Sequence, residues 1–116
     1  MKQFEIWWVK LPAPAGRRPV LLLSRNDAYQ YLNKFIVAEI TTTIRTIPVE
    51  VRLGRREGLS LTCVANLDNL RTAARQWFDS RAGSVPRSRH TEVKRALGYA
   101  LGWDELMDLG PDSPSW

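Results

Sequence analysis

The sequence predicts a mainly β domain of the α+β type, a small barrel or strongly bent sheet with one helix packed against it. Two observations carry this. Short apolar runs rich in β-branched and aromatic residues recur from residue 4 to residue 73, separated by Pro, Gly and polar clusters. After Pro86 the spacing becomes helical, with Val93, Leu97, Ala100 and Leu101 along one face. Several short strands followed by a terminal helix bury their apolar surfaces most simply as a curled sheet with the helix laid on it.

Residues 4–11 (FEIWWVKL) read as a first strand, with Trp7 and Trp8 on opposite faces, so that at most one is fully buried in the subunit's own core. Residues 12–19 (PAPAGRRP) read as a Pro/Gly loop carrying two arginines. The run 20–24 (VLLLS) fits a strand buried on both faces. Residues 25–34 read as a connection, and 35–41 (FIVAEIT) as a third strand. Residues 48–53 alternate, with Val49, Val51 and Leu53 inward and Glu50 and Arg52 outward. Gly54 and Gly58 bracket a turn. Residues 61–67 (LTCVANL) make a fifth strand, and 68–73 a short continuation of it. Residues 74–80 read as one or two helical turns. Pro86 suits the first position of the terminal helix, where its missing N–H is no loss. Gly102 suits the stop. The domain spans residues 1–110, and 111–116 read as a frayed tail.

The chain has 116 residues, 44% of them hydrophobic, enough for one modest core. No apolar run approaches the ~20 residues of a membrane helix. No basic segment leads into an apolar one at the N-terminus, so a cytoplasmic protein is expected. Of 17 basic residues 13 are arginines, and residues 1–95 hold all 17 against 8 acids, a charge of +9. Residues 96–116 carry four acids and no base. A basic body rich in planar guanidinium groups points to a polyanionic partner.

The available chemistry is narrow. One histidine, His90, excludes a His pair within one subunit, and its place beside the helix's apolar face favours a structural role. Cys63, the single cysteine, sits inside a predicted strand and reads as a small core residue. No phosphate-binding glycine loop, dinucleotide fingerprint or HExxH metal motif is present. An enzyme built on this chain works with Arg, Thr, Ser, carboxylates and backbone groups.

Taken in order, EIWWVKL at 5–11, GRRPVLLLS at 16–24, IVAEIT at 36–41 and LDNLRT at 67–72 resemble the MazF/PemK family. The likeness continues through the helix EVKRALGYAL and covers about residues 4–102. These are ribosome-independent mRNA endonuclease toxins of bacterial toxin–antitoxin pairs. The resemblance implies an SH3-like barrel, a homodimer, single-stranded RNA as substrate, an acidic MazE-like antitoxin as partner, and cleavage without a metal or other cofactor. It assigns catalysis to Arg18, the Arg before Pro, and to Thr41, which ends the third strand. It places Asn69 against the RNA and Ser24 near the site; Arg17, beside Arg18, is a candidate substrate-binding residue through phosphate contact. The first loop, PAPAG, departs from the many relatives whose longer loop carries an acid and more glycine. Within the same fold the alternatives are a non-enzymatic toxin like the gyrase-binding CcdB family, and an RNA-binding barrel without activity. The Arg18–Thr41 pair in its motif favours the nuclease.

Glu39 lies two residues before Thr41, so on a strand both face one side about 7 Å apart. It is a candidate to orient Arg18 or to accept the 2′-OH proton. Arg25, Arg45, Arg55 and Arg56 are further candidates for phosphate contacts.

Overall fold

The computed structural model describes residues 1–110. Six strands form one antiparallel, strongly curled sheet: β1 (Glu5–Lys10), β2 (Arg17–Leu22), β3 (Lys34–Thr41), β4 (Glu50–Leu53), β5 (Cys63–Ala74) and β6 (Phe78–Ser84), in the spatial order β4-β5-β3-β2-β1-β6. A short helix α1 (Ala28–Tyr31) joins β2 to β3. Helix α2 (His90–Leu101) and a single-turn α3 (Asp104–Met107) follow the sheet. The expected curled sheet with a C-terminal helix is therefore present. Among the described residues no helix is long and apolar enough to cross a membrane. The tail 111–116 lies outside the described residues.

Apolar residues on both faces of the central strands explain the composition. One cluster fills the concave side and reaches α2, through Ile6, Leu21, Ile40, Val51, Leu67 and Val93. The other lies on the opposite face, around Val9, Val20, Leu22, Phe35, Val37 and Tyr29. Val20, Leu21 and Leu22 are all fully buried, as the unbroken apolar run requires.

Several expectations are corrected. β2 begins at Arg17, so both arginines of the supposed loop stand on a strand. Residues 74–80 hold only one 3₁₀ turn (Arg75–Trp77) before β6, whose polar sequence (FDSRAGS) hides an edge strand paired only with β1. Pro86 precedes a 3₁₀ turn (Arg87–Arg89) rather than opening α2 itself. Leu101, placed on the apolar face, is 46% exposed; Ala96 and Gly98 are buried in its stead. Gly98 lets α3 fold back on α2, since a Cβ there lies 2.6 Å from Leu106. Gly102 ends α2 in the left-handed region at φ 68°, as its position predicts.

The two sheet edges, β4 and β6, meet through the turn after β4. That turn is one 3₁₀ turn (Arg55–Glu57) ending in Gly58 at φ 95°. Its backbone lies directly on β6: a Cβ on Gly58 falls 2.1 Å from the Ala82 carbonyl oxygen, and one on Gly83 falls 2.0 Å from that of Glu57. Glu57, only 4% exposed, is fully used. Its Oε1 accepts the Gly54 N–H at 2.7 Å, and its Oε2 pairs with Arg89 Nη1 at 3.3 Å. Arg89 also donates to the Arg52 carbonyl oxygen at 2.7 Å and chelates Glu92 of α2.

Gly83→Ala tests this closure. The methyl group has no space between the two backbones, so a loss of about 2–3 kcal/mol is expected, read as a fall of order 10 °C in the thermal midpoint. An unchanged midpoint would mean that the edges do not meet in solution.

Candidate active site

The cleft that matters opens on the face bearing Val20, Val37 and Ala73, where β2, β3 and β5 run side by side. In the ladders Val20 pairs with Glu39, and Val37 pairs with Arg71. Arg18 and Arg71 are thus the diagonal neighbours of Glu39 on either side, within reach of long side chains. Extending the β2–β3 register by two residues puts Arg18 across from Thr41. Glu39 stands between the two arginines. Its Oε1 accepts from Arg18 Nη1 at 3.0 Å and its Oε2 from Arg71 Nη1 at 3.5 Å. Arg18 Nη2 also leans on the Ala15 carbonyl oxygen at 3.5 Å, which ties the short PAPAG turn to the site.

A bulge shapes the other wall. Between the pairs Ala38–Leu70 and Ile40–Ala65, one residue of β3 (Glu39) faces the four residues 66–69 of β5. Bulges re-aim side chains where a regular ladder would point them elsewhere. Here the bulge turns Asn66 and Asn69 into the cleft beside Arg18, Glu39 and Thr41. Asn66 steadies it by accepting the Asp68 N–H at 2.9 Å. Arg45 and Thr43 complete the rim. Their loop is held by Glu50, whose carboxylate accepts the Arg45 and Thr46 N–H groups at 2.8–3.1 Å. Thr41 Oγ1 accepts the Thr43 N–H at 3.1 Å, which leaves its hydroxyl proton free to point into the cleft.

The structure therefore brings together Arg18, Thr41, Glu39 and Asn69 of the residues expected from sequence. It does not bring in Arg17 or Ser24. Arg17 faces the opposite side of β2, where it stacks over Trp8 at 4.4 Å and pairs with Asp79 at 3.2 Å. Ser24 lies past the far end of β2, 7% exposed, with Oγ accepting the Ile36 N–H at 2.8 Å and its carbonyl oxygen accepting the Tyr29 hydroxyl. Its role is to hold the β2–β3 connection. Arg71, Asn66 and Thr43 escaped sequence reasoning. Arg71 was legible in one respect, since it alternates with Asn69 on the extended strand. The bulge that admits Asn66 has no such periodic signal.

His90 and Cys63 are structural. His90 stacks on Phe4 with ring centres 3.7 Å apart and places Nε2 2.9 Å from the Val85 carbonyl oxygen. Cys63 is buried with its Sγ toward the Leu53 carbonyl oxygen, and burial, with the charge of Glu57 adding to it, pushes its thiol up and away from reactivity. Arg25 pairs with Asp27 at 2.7 Å.

Against known proteins, residues 2–101 match the family described as PemK-like, MazF-like toxins of type II toxin–antitoxin systems. The chain belongs to that family. It is 34% identical over 98 residues to the probable endoribonuclease MazF5 of Mycobacterium tuberculosis, which covers 84% of this chain and 89% of that protein. It is 31% identical over 87 residues to endoribonuclease MazF1 of Mycobacterium bovis, covering 75% and 81%. Among solved structures, Mycobacterium tuberculosis toxin MazF-mt6 superposes with a TM-score of 0.79 at 30% identity, over 84% of this chain and 96% of that one. An endoribonuclease from a mycobacterial species, in complex with its cognate antitoxin, superposes at 0.77 with 26% identity, over 88% and 95%. The fold expected from the MazF/PemK resemblance is the fold observed.

Ser24→Ala separates the two roles that sequence leaves open for this residue. It removes the acceptor of the part-buried Ile36 N–H, so a loss of about 1 kcal/mol in unfolding free energy is expected, with RNA affinity of the folded protein unchanged. Weaker RNA binding without loss of stability would return Ser24 to the substrate.

Proposed function

We propose that this MazF-like toxin is an endoribonuclease that cuts single-stranded RNA at the Arg18–Thr41 cleft. The observation that carries the reading is the placement of the Arg18 guanidinium and the Thr41 hydroxyl on adjacent strands, in a cleft whose other lining groups besides Glu39 are amide, hydroxyl and cationic. In the reaction the RNA's own 2′-oxygen bonds to the adjacent phosphorus, the P–O5′ bond breaks, and the 2′-OH proton ends on the departing 5′ oxygen. The products are a 2′,3′-cyclic phosphate and a 5′-OH. Charge grows on the two non-bridging oxygens, and Arg18 suits that task through a fork of parallel N–H donors. The Thr41 hydroxyl donates one further hydrogen bond to the same oxygens. Glu39 has each oxygen engaged by an arginine, which makes it a positioning residue for Arg18 rather than a base. With charge met by guanidinium groups, the reaction proceeds without a metal ion.

Single-stranded substrate is supported by an apolar groove on the other face of the sheet, which meets the cleft at Thr41 and is walled by Trp8, Pro19, Leu59 and Leu61, with Arg17 stacked on Trp8. It offers an unpaired base an apolar wall against which to stack, which a base inside a duplex cannot use. The toxin acts in the cytoplasm as a homodimer, and an acidic segment of its antitoxin neutralises it by occupying the cationic cleft.

The test uses purified protein, a long mixed-sequence RNA and excess EDTA. Cuts at a recurring short motif with cyclic-phosphate and 5′-OH ends are expected. Arg18→Ala lowers the cleavage rate by roughly 10²–10³. Thr41→Val lowers it by about tenfold, the worth of one hydrogen bond in the transition state. Intact RNA from folded wild-type protein, or full activity in Arg18→Ala, would overturn the assignment.

A further inference from the structure

The Arg18–Glu39–Arg71 group is short of acceptors. Two guanidiniums offer ten N–H donors between them. Glu39 meets them with one contact each, at 3.0 and 3.5 Å, and not with a paired fork to either. Among the described residues, Arg18 Nε and Arg71 Nε are buried with no hydrogen-bond partner. Unmet donors of this kind are destabilising in the free protein, and native structures keep few of them. Glu39 is also the one acid among the described residues that line the cleft. Its side chain keeps 22% of its surface exposed, so it has room to turn outward.

A carboxylate and a phosphodiester are alike in presenting two anionic oxygens to a guanidinium fork. We infer that Glu39 is a built-in stand-in for the RNA phosphate: it occupies the gap between Arg18 and Arg71 in the free protein, and the scissile phosphate takes that gap when RNA binds, gripped by Arg71 as well as Arg18. The inference rests on the endoribonuclease reading above. It gives Arg71 a direct contact with substrate. It also gives Glu39 two successive roles, aiming Arg18 in the free protein and yielding it to the phosphate when RNA binds. Arg71 is suited to the second grip because Trp77, 5.8 Å from its guanidinium carbon, backs the group without consuming an N–H.

The experiment measures binding of a mixed-sequence 2′-O-methyl oligoribonucleotide, which lacks the attacking hydroxyl, across a series of salt concentrations. Glu39→Gln is expected to bind about 5–10-fold tighter than wild type at every salt concentration, because the phosphate no longer has to displace a carboxylate. In cleavage it shows a lower KM, because the phosphate no longer competes with a carboxylate for the gap between the two guanidiniums. Arg71→Ala is expected to bind about tenfold more weakly with a slope shallower by about 0.7. The double variant decides between direct and indirect action. If Arg71 grips RNA, Arg71→Ala still weakens binding in the Glu39→Gln background; if Arg71 only holds Glu39, it has no effect there and the inference fails. Weaker or unchanged binding by Glu39→Gln also overturns it. Where the amide variant does not fold, Glu39→Asp, one methylene short of both guanidiniums, is expected to move affinity in the same direction to a smaller extent. Wild-type cleavage lost on Arg18→Ala, alongside a failed Glu39 result, sinks this inference alone. Absence of cleavage in the wild type sinks the functional reading itself.

Discussion

The contact between the turn after β4 and strand β6 is the constraint on which the rest of the structure depends. A six-stranded sheet with β4 and β6 at its edges is an open ribbon until those edges are covered, and open edges invite pairing with other chains. Gly58 and Gly83 let two backbones touch where any side chain would hold them apart. Glu57 is buried to make the turn, and Arg89 meets its charge while also binding the Arg52 carbonyl oxygen and Glu92. One guanidinium therefore ties an edge strand, the closing turn and the first turn of α2 together. Because Val93 and Ala96 of α2 belong to the same buried cluster as Ile6, Leu21, Ile40 and Val51, the contacts that close the sheet and those that dock the helix share one core.

Curling has a consequence for chemistry. Strands β2, β3 and β5 are buried on both faces at Val20–Leu22, Val37–Ala38 and Cys63–Leu67, and the polar cleft arises where that two-sided burial stops. On β3 the change occurs between Val37, fully buried, and Glu39. On β5 it coincides with the bulge at 66–69, and on β2 with the step from Val20 to Arg18. The site sits at the edge of a tightly packed apolar face, so Val20, Val37 and Ala73 fix the backbone beneath Arg18, Glu39 and Arg71. A cluster of charges on strands of this rigidity holds its geometry better than one on a loop.

This explains which parts were legible in the sequence. Alternation and apolar runs disclose strands with one or two buried faces, which is why β1, β2, β3, β4 and β5 with its continuation over 68–73 could be read. Strand β6 could not, because it is an edge strand with few inward side chains, and its Gly83 serves a backbone contact that has no periodic signature. Within the site, Arg18, Thr41 and Asn69 were accessible through the MazF/PemK motifs, and Glu39 through its spacing from Thr41. Arg71 needed the long-range pairing of Val37 with β5, and Asn66 needed the bulge, neither of which is written in local spacing.

The arginine excess also takes on a different meaning once side chains are placed. It suggested a broad phosphate-binding surface, yet many of these groups serve the fold. Arg75 donates to the Tyr29 and Leu32 carbonyl oxygens that α1 leaves unpaired, and stacks on Phe35. Arg81 pairs with Glu5, Arg17 with Asp79 and Arg89 with Glu57. What distinguishes Arg18 and Arg71 is not charge, which all share, but an unfinished set of hydrogen bonds in a partly buried place. A structural arginine uses its fork on backbone carbonyls or a matched carboxylate and stops there. A pair that shares one carboxylate and leaves buried N–H groups unmet keeps capacity for a second anion. Net charge therefore predicts attraction to a polyanion, whereas the local shortage of acceptors predicts where that polyanion is held.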